Sequence, residues 1–328
     1  CQAGLPKTGY IEVNAPRGEK TFIYPVFLPM QGCAGKCIYC DQNKISGADA
    51  DSLEASLAGA EEFLLRHRGL ARQVAFYGGT FTALDQEYRE ALLRRLLAAS
   101  DSFASFRVST HPAYIDSQIL TWCKQWRIST IELGVQDFSD EVLSASKRGY
   151  TGAQALEAAN LVRQHGFELG VQLMPGLPGW TEASLDYNQR MLERLRPDLL
   201  RLYPLIVIKG TPLAKLWQQG AYQPLTLDQA ISQCADYHSL ATPLGIRVIK
   251  LGLPSNLDPA DVLAGPWHAA FGELVKAELL YRDLCARYPE GAAIILPARE
   301  FNLLKSHGGR CLKKLEARHN NCMLEKEF

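Results

Sequence analysis

Cys33-Ala34-Gly35-Lys36-Cys37-Ile38-Tyr39-Cys40 gathers three of the chain's nine cysteines into eight residues, spaced Cys-x3-Cys-x2-Cys. Thiolates this close together wrap one small inorganic object, and a [4Fe–4S] cube is the usual one held by such runs. Three ligands for four irons leave one iron open to outside chemistry. Two other readings stand beside this one. Zinc wants four protein ligands, commonly in Cys-x2-Cys pairs, and no second pair follows at finger-like spacing. A disulfide framework belongs to a short secreted chain dense in cysteine, which this is not.

Outward from that stretch, strands and helices alternate. Thr21 to Leu28 is aromatic and β-branched and reads as a first strand, with Pro25 a blemish. Residues 1–20 lack periodicity and read as an irregular arm. Apolar residues at Leu53, Leu57, Ala60, Phe63 and Leu64 mark a helix from Ser52 to His67. Gln73–Tyr77 is a second strand running into Gly78-Gly79-Thr80. Further strands are expected at 105–110, 130–136, 167–174 and 199–205. Helices are expected at 85–99, 116–126, 140–146, 153–165 and 182–195. This order implies an α/β fold, a partial (β/α)6 TIM-like barrel, followed by a small C-terminal α/β extension. The expected division is an arm at 1–20, a barrel at 21–255 and an extension at 256–328, the last a candidate for substrate binding.

Ligands of such barrels gather at the carboxyl ends of the strands. The cysteines follow strand one, the glycines strand two, Ser109 and His111 end strand three, Gln136 ends strand four, and Gln172 and Met174 end strand five. Period-two alternation adds a second expectation. If Gln136, Gln172 and Ser109 face the lumen, then Glu132, Glu168 and Arg107 enter its lower layer. Charges inside a barrel need partners, so Arg107 is expected between Glu132 and Glu168 unless a strand is bulged.

Composition narrows the class. The 328 residues are 47% apolar with a formal net charge of zero, so any nucleic-acid binding rests on a local patch. No long apolar run suggests a membrane span and the N-terminus lacks a signal layout. Clustered cysteines without these features point to the cytoplasm.

Cys-x3-Cys-x-aromatic-Cys after a first strand, with Tyr77-Gly78-Gly79-Thr80-Phe81 after a second, resembles the radical S-adenosylmethionine (SAM) superfamily. Over residues 21–255 the chain is similar to the radical SAM domain of the Elongator catalytic subunit family. The matching stretches are Thr110–Ile115, Glu132–Gln136, Lys147–Thr151, Met174–Gly179, Tyr203–Thr211 and Arg247–Lys250. Weaker similarity extends to oxygen-independent coproporphyrinogen oxidases. The resemblance implies that Cys33, Cys37 and Cys40 hold a [4Fe–4S] cluster whose open iron is chelated by SAM. It implies a 5′-deoxyadenosyl radical that abstracts hydrogen from a substrate, and an external electron donor of flavodoxin or ferredoxin type, or a chemical reductant. Tyr39 falls on the adenine side, Gly78, Gly79 and Thr80 at the SAM amino group, and Gln136 and Arg148 at its polar contacts. Ser109 stands where relatives often carry a glutamate, and Gln172 where the porphyrinogen enzymes carry an aspartate. Both are expected as SAM contacts; His111 replaces an arginine and reads equally as a cap.

Three functions follow. The first is a radical SAM enzyme acting on a macromolecule such as tRNA. The second acts on a small metabolite, cofactor precursor or peptide. The third is a binding protein that kept the cluster and lost turnover, which the intact glycine motif, Gln136 and Arg148 argue against. Elongator's acetyltransferase domain is not expected in residues 256–328. That tail carries Gly265-Pro266-Trp267-His268 before a helix reaching Ala286, a strand at 292–296, and seven Lys/Arg against three Glu from Arg299 to Lys326. Its basic character reads as phosphate contacts or as a solvated face. Cys1, Cys123, Cys234, Cys285, Cys311 and Cys322 read as ordinary thiols.

Overall fold

The computed structural model describes residues 11–14, 20–28, 30–33, 37–41, 44–45, 50–253, 257–319 and 321–324. Its strands are β1 (Ile11–Asn14), β2 (Lys20–Phe27), β3 (Arg72–Tyr77), β4 (Ala104–Thr110), β5 (Ile128–Gln136) and β6 (Glu168–Leu173). They continue as β7 (Leu199–Leu202), β8 (Val207–Ile208), β9 (Arg247–Leu251), β10 (Val262–Ala264), β11 (Ala293–Leu296) and β12 (Asn321–Leu324). The main sheet runs β1-β2-β3-β4-β5-β6-β7-β9. From β2 to β9 every pairing is parallel, which gives seven parallel strands curled into a half-barrel with helices outside.

All six expected strands and the helices between them are present. Asp85 and Asp116 cap two of the helices, accepting from Tyr88 N at 3.1 Å and Ile119 N at 2.7 Å. Two differences concern the edges. Arg247–Leu251 is a seventh parallel strand, not foreseen as one because Arg-Val-Ile-Lys-Leu has no period of two and lies half-buried throughout. Within the arm taken as irregular, Ile11–Asn14 pairs antiparallel with β2, which itself begins at Lys20; residues 1–10 and 15–19 lie outside the described residues.

The lower lumen holds the expected ion pairs and more. Arg107 Nη1 donates to Glu132 Oε1 at 2.9 Å and Nη2 to Glu168 Oε2 at 3.4 Å. Arg201 clamps the other side of Glu132, and Arg247 the other side of Glu168. Gln73, Thr130 and Tyr77 fill remaining valences: Gln73 Oε1 accepts from Arg107, Thr130 donates to Glu168, and Tyr77 donates to Glu132. Gly170 leaves the space for this, since a Cβ there would lie 2.7 Å from Glu132 Cγ. Burial alone would push the Glu132 carboxyl up; Arg201 and then Arg107 outweigh it and hold the group below its ordinary value.

The alternation that led to this ladder fails one step higher. Between Leu133 and Gln136 strand β5 carries one residue more than β6, and Gln136 has a φ of 69°. This bulge re-aims Gln136 and frees two carbonyls. Tyr150 OH donates to Val135 O at 2.5 Å, and Arg148 Nη2 to Gly134 O at 2.6 Å. Glu132 points inward as expected because the bulge begins above it.

The C-terminal part forms a second small core. Helix Phe271–Arg287 buries Phe271, Leu274 and Val275 in the barrel's core and Ala277 and Leu284 in that of the tail. β11 pairs parallel with β12, with two helices between them. Its cations are partly neutralised: Arg310 and Lys314 converge on buried Glu278, at 3.7 and 3.5 Å, and Arg310 also meets Asp228. His268 Nδ1 accepts from Ala270 N at 3.1 Å, as a cap does. Among the described residues no helix is long and apolar enough to cross a membrane.

Arg107→Ala strips one guanidinium from buried Glu132 and half-buried Glu168. The expected cost is about 3–5 kcal/mol of unfolding free energy, read by urea titration. Glu132, held below its ordinary 4.5, contributes stability that is complete above that value and lost as the pH falls through the lowered one. The variant should therefore unfold in acid at a higher pH than the native chain.

Candidate active site

Two loops meet backbone to backbone at the mouth. Leu28 N donates to Tyr77 O at 2.7 Å, Met30 N to Gly78 O at 3.1 Å, and Thr80 N to Gln31 O at 2.9 Å. A Cβ at Gly79 would overlap the Gln31 carbonyl oxygen, and one at Gly32 the Thr80 carbonyl oxygen. Gly78, at φ 94°, makes the turn. The glycine pair was expected to admit a ligand; its first visible use is to admit the cysteine loop.

That loop then crosses the mouth. Ile38 O accepts from Leu213 N at 2.8 Å, beyond β8. Ile38 and Tyr39 pack with Val142, Met174, Leu177 and Leu205, while Cys37 and Cys40 lie half-buried against the same cluster. Lys44 anchors the far side, donating to Lys209 O at 2.6 Å and pairing with Asp261 at 3.2 Å. Cysteines from the second strand of the sheet are thus held over the loops that follow β5, β6 and β7.

Cys33 is exposed, and its Sγ lies 3.3 Å from Thr80 Oγ1. Arg148 Nη1 donates to Cys37 Sγ at 2.9 Å. Among the described residues no three His, Cys, Asp or Glu converge as ligands of a single ion do. A zinc ion needs such convergence; a cube, whose corner irons are separate, needs thiols held apart. The donor set, three soft sulfurs and no carboxylate, fits the cube.

Arg148 is buried. Helix Asp140–Ala145 ends in a turn with Lys147 at φ 54° and Gly149 at φ 74°, which points Arg148 inward. Besides Cys37 and Gly134, its Nε donates to Tyr150 OH at 3.2 Å. His111 supports the turn from behind. Its Nδ1 accepts from Ala113 N at 3.2 Å, so Nε2 carries the proton and donates to Arg148 O at 3.1 Å. Burial, then Arg148, push the His111 imidazole down to about 4, which keeps it neutral. It is a cap and a brace.

Gln172 Nε2 donates to Gln136 Oε1 at 3.0 Å, so those two amides act as a pair. Ser109 lines a small recess with Gln31, Tyr77 and Gly79. Tyr39 is buried with its hydroxyl unpartnered, and burial raises its pKa well above the ordinary value. The structure therefore brings together Cys33 with Thr80, Cys37 with Arg148, Gln136 with Gln172, and Ser109 with Gly79. Sequence reasoning missed Tyr150, Arg201 and Lys44; Tyr150 was visible only as a neighbour of Arg148 in Lys147–Thr151. Of the remaining thiols, Cys123 and Cys234 are buried and pushed up by burial, Cys123 to about 12, as inert thiols are. Cys1 and the Cys322 side chain lie outside the described residues.

The family model described as Radical SAM superfamily matches residues 27–191, and one described as Radical_SAM C-terminal domain matches residues 197–281. The chain is 26% identical over 228 residues to the tRNA uridine(34) acetyltransferase of Methanocaldococcus jannaschii, covering 62% of this chain and 41% of that protein. It is 28% identical over 287 residues to Elongator complex protein 3 of Mus musculus, covering 74% and 52%. The chain thus spans about half or less of the length of these relatives. The structure of Methanocaldococcus infernus Elp3 with an N-terminal deletion superposes with a TM-score of 0.65 at 20% identity, over 80% of this chain and 63% of that one. Coproporphyrinogen III oxidase of Escherichia coli, a radical SAM enzyme, gives 0.50 at 20% identity, over 69% and 53%. At these identities the structural likenesses speak to the fold.

Gly79→Ala forces the cysteine loop off the glycine turn without touching a thiol. Iron bound after anaerobic reconstitution should fall several-fold while the circular dichroism stays native. Native iron content in that variant contradicts the clamp.

Proposed function

We propose, from the premise that this chain belongs to the radical SAM superfamily and uses a [4Fe–4S] cluster and SAM, that Cys33, Cys37 and Cys40 hold the cluster. Tyr39, Gly78, Gly79, Thr80, Ser109, Gln136, Arg148 and Gln172 then surround SAM. When bound, the pair of cofactors supplies a 5′-deoxyadenosyl radical, made by one-electron cleavage of the sulfonium, for hydrogen abstraction. The observation that carries the reading is the cysteine loop itself, three thiols laid across a half-barrel mouth and clamped there by Gly79.

The chain's own residues have definable tasks. Thr80 Oγ1 and Arg148 Nη1 donate to the sulfurs of Cys33 and Cys37, which tunes the charge those sulfurs carry. Ile38, Tyr39, Met174 and Leu177 keep water from the inner side. Gln136 and Gln172, satisfied by each other on one side, keep an NH₂ and a carbonyl for the ribose hydroxyls. Arg148 has three of its donors committed to the protein and serves as the link between cluster loop and SAM site.

For the substrate we favour RNA of the tRNA class, supported by curated relatives named for tRNA uridine(34). Only the radical step is proposed, since the chain spans about two fifths of those proteins. A flavodoxin- or ferredoxin-like donor would supply the electron in a reducing compartment such as the cytoplasm. We retain the division at 1–20, 21–255 and 256–328, with the extension facing substrate; the separate core around Ile294 and Leu315 supports it.

Reconstituted anaerobically and reduced with dithionite, the native chain should release 5′-deoxyadenosine from SAM, and Cys33→Ala should not. Equal yields from the two contradict the reading. Bulk tRNA should bind at low salt and be released as salt rises; no binding at low salt favours a small-molecule substrate.

A further inference from the structure

The half-barrel carries a row of side chains that begins at the proposed cofactor site and runs on beyond it. Register sets Gln172 beside Arg201 and Arg201 beside Lys250, across β6, β7 and β9. Neighbours in register share a face of the sheet. Arg201 fixes which face, because Nε and Nη2 bond Glu132 within the lumen and Nη2 also donates to Tyr77 OH at 2.6 Å. Lys250 therefore enters the lumen as well.

Charge in this space does not balance. Among the described residues the carboxylates paired with Arg107, Arg201 and Arg247 are Glu132 and Glu168, each already shared by two arginines, and neither pairs with Lys250. Among the described residues Lys250 has no hydrogen-bond or ion-pair partner, although it is half-buried. Burial, and then the neighbouring Arg201, lower its pKa. A half-buried ammonium set beside a guanidinium, with no acid to answer it, is costly for the fold. Such arrangements persist where a ligand brings the missing negative charge.

Position gives the missing charge a role. Gln172, on the same row, holds Gln136 at the proposed SAM site, and two strand spacings separate it from Lys250, about 10 Å. β9 is the edge of the sheet, so the row ends where the half-barrel is open. The geometry points to Lys250, backed by Arg201, as the anchor for an oxyanion of the substrate, a backbone phosphate if that substrate is RNA. This inference rests on the radical SAM reading and names the chemical group through which substrate is held. Lysine suits the task as a point charge on a flexible stem, able to follow a phosphate that moves with its nucleotide.

The test uses the full chain and the variants Lys250→Gln and Lys250→Arg. Labelled bulk tRNA is titrated by fluorescence anisotropy over a salt series, and inorganic phosphate by calorimetry. Loss of one contact should weaken tRNA binding several-fold, lower the slope of log affinity against log salt by about one, and be restored in the arginine variant. Unchanged tRNA binding with lost phosphate binding supports the same anchor for a small phosphorylated substrate. Both probes binding K250Q as they bind the native chain overturns the inference, as does a native chain that binds neither. Should the glutamine variant not fold, the ¹³C-dimethylated Lys250 resonance, identified by its absence in K250R, decides instead. A shift of that resonance on adding phosphate supports the anchor and its constancy sinks it. 5′-Deoxyadenosine yield of the native chain judges the underlying reading separately.

Discussion

The approach of two backbones, with no side chain between them, fixes the working end of this molecule. Gln31 O sits where a Cβ of residue 79 would be, and Thr80 O where a Cβ of residue 32 would be. Three hydrogen bonds tie the facing loops in that position. Everything that gives the cysteines a defined place follows from this contact. The loop can then reach over the mouth, dock Ile38 on Leu213, and bring Cys37 to Arg148. A glycine in each loop is a steric requirement here, and the required geometry concerns the protein before it concerns a ligand.

Beneath the mouth, electrostatics shape the lumen. Glu132 and Glu168 each sit between two arginines, so neither acid is left unpaired by any single contact. Taking away one arginine leaves a carboxylate short of a partner, which is the costly event in an ion pair of this kind. The bulge in β5 then lifts Gln136 out of alternation, and the carbonyls it exposes are taken by Tyr150 and Arg148. One residue thus belongs to two systems: Arg148 closes the bulge and reaches a cysteine. His111, kept neutral by burial and by Arg148, holds the turn that presents it.

The fold was legible where a period was strong. Leu53, Leu57, Ala60 and Phe63 announce their helix, and strands such as Val74–Phe76 bury every residue, as parallel strands do. β9 was not read as a strand because Arg-Val-Ile-Lys-Leu, at the sheet edge, shows no period of two and no buried face. Arg107, Glu132 and Glu168 could be placed together from alternation alone, whereas Arg201 and Arg247 could not, since their strands are short or charged. The cysteines and Gly79 were legible as a motif, but the steric reason for Gly79 depends on a backbone 48 positions upstream at Gln31. No local pattern carries that information. The bulge at Gln136 was invisible for the same reason: it is defined by the strand beside it.

All of this organisation has a purpose only if the thiols leave one corner of a cube free for SAM. The most direct measurement is electron paramagnetic resonance of the anaerobically reconstituted, dithionite-reduced native chain, recorded before and after SAM is added. The account predicts the spectrum of a reduced [4Fe–4S] cluster whose g-values move when SAM is present. A spectrum indifferent to SAM, or no iron–sulfur signal at all, would contradict it.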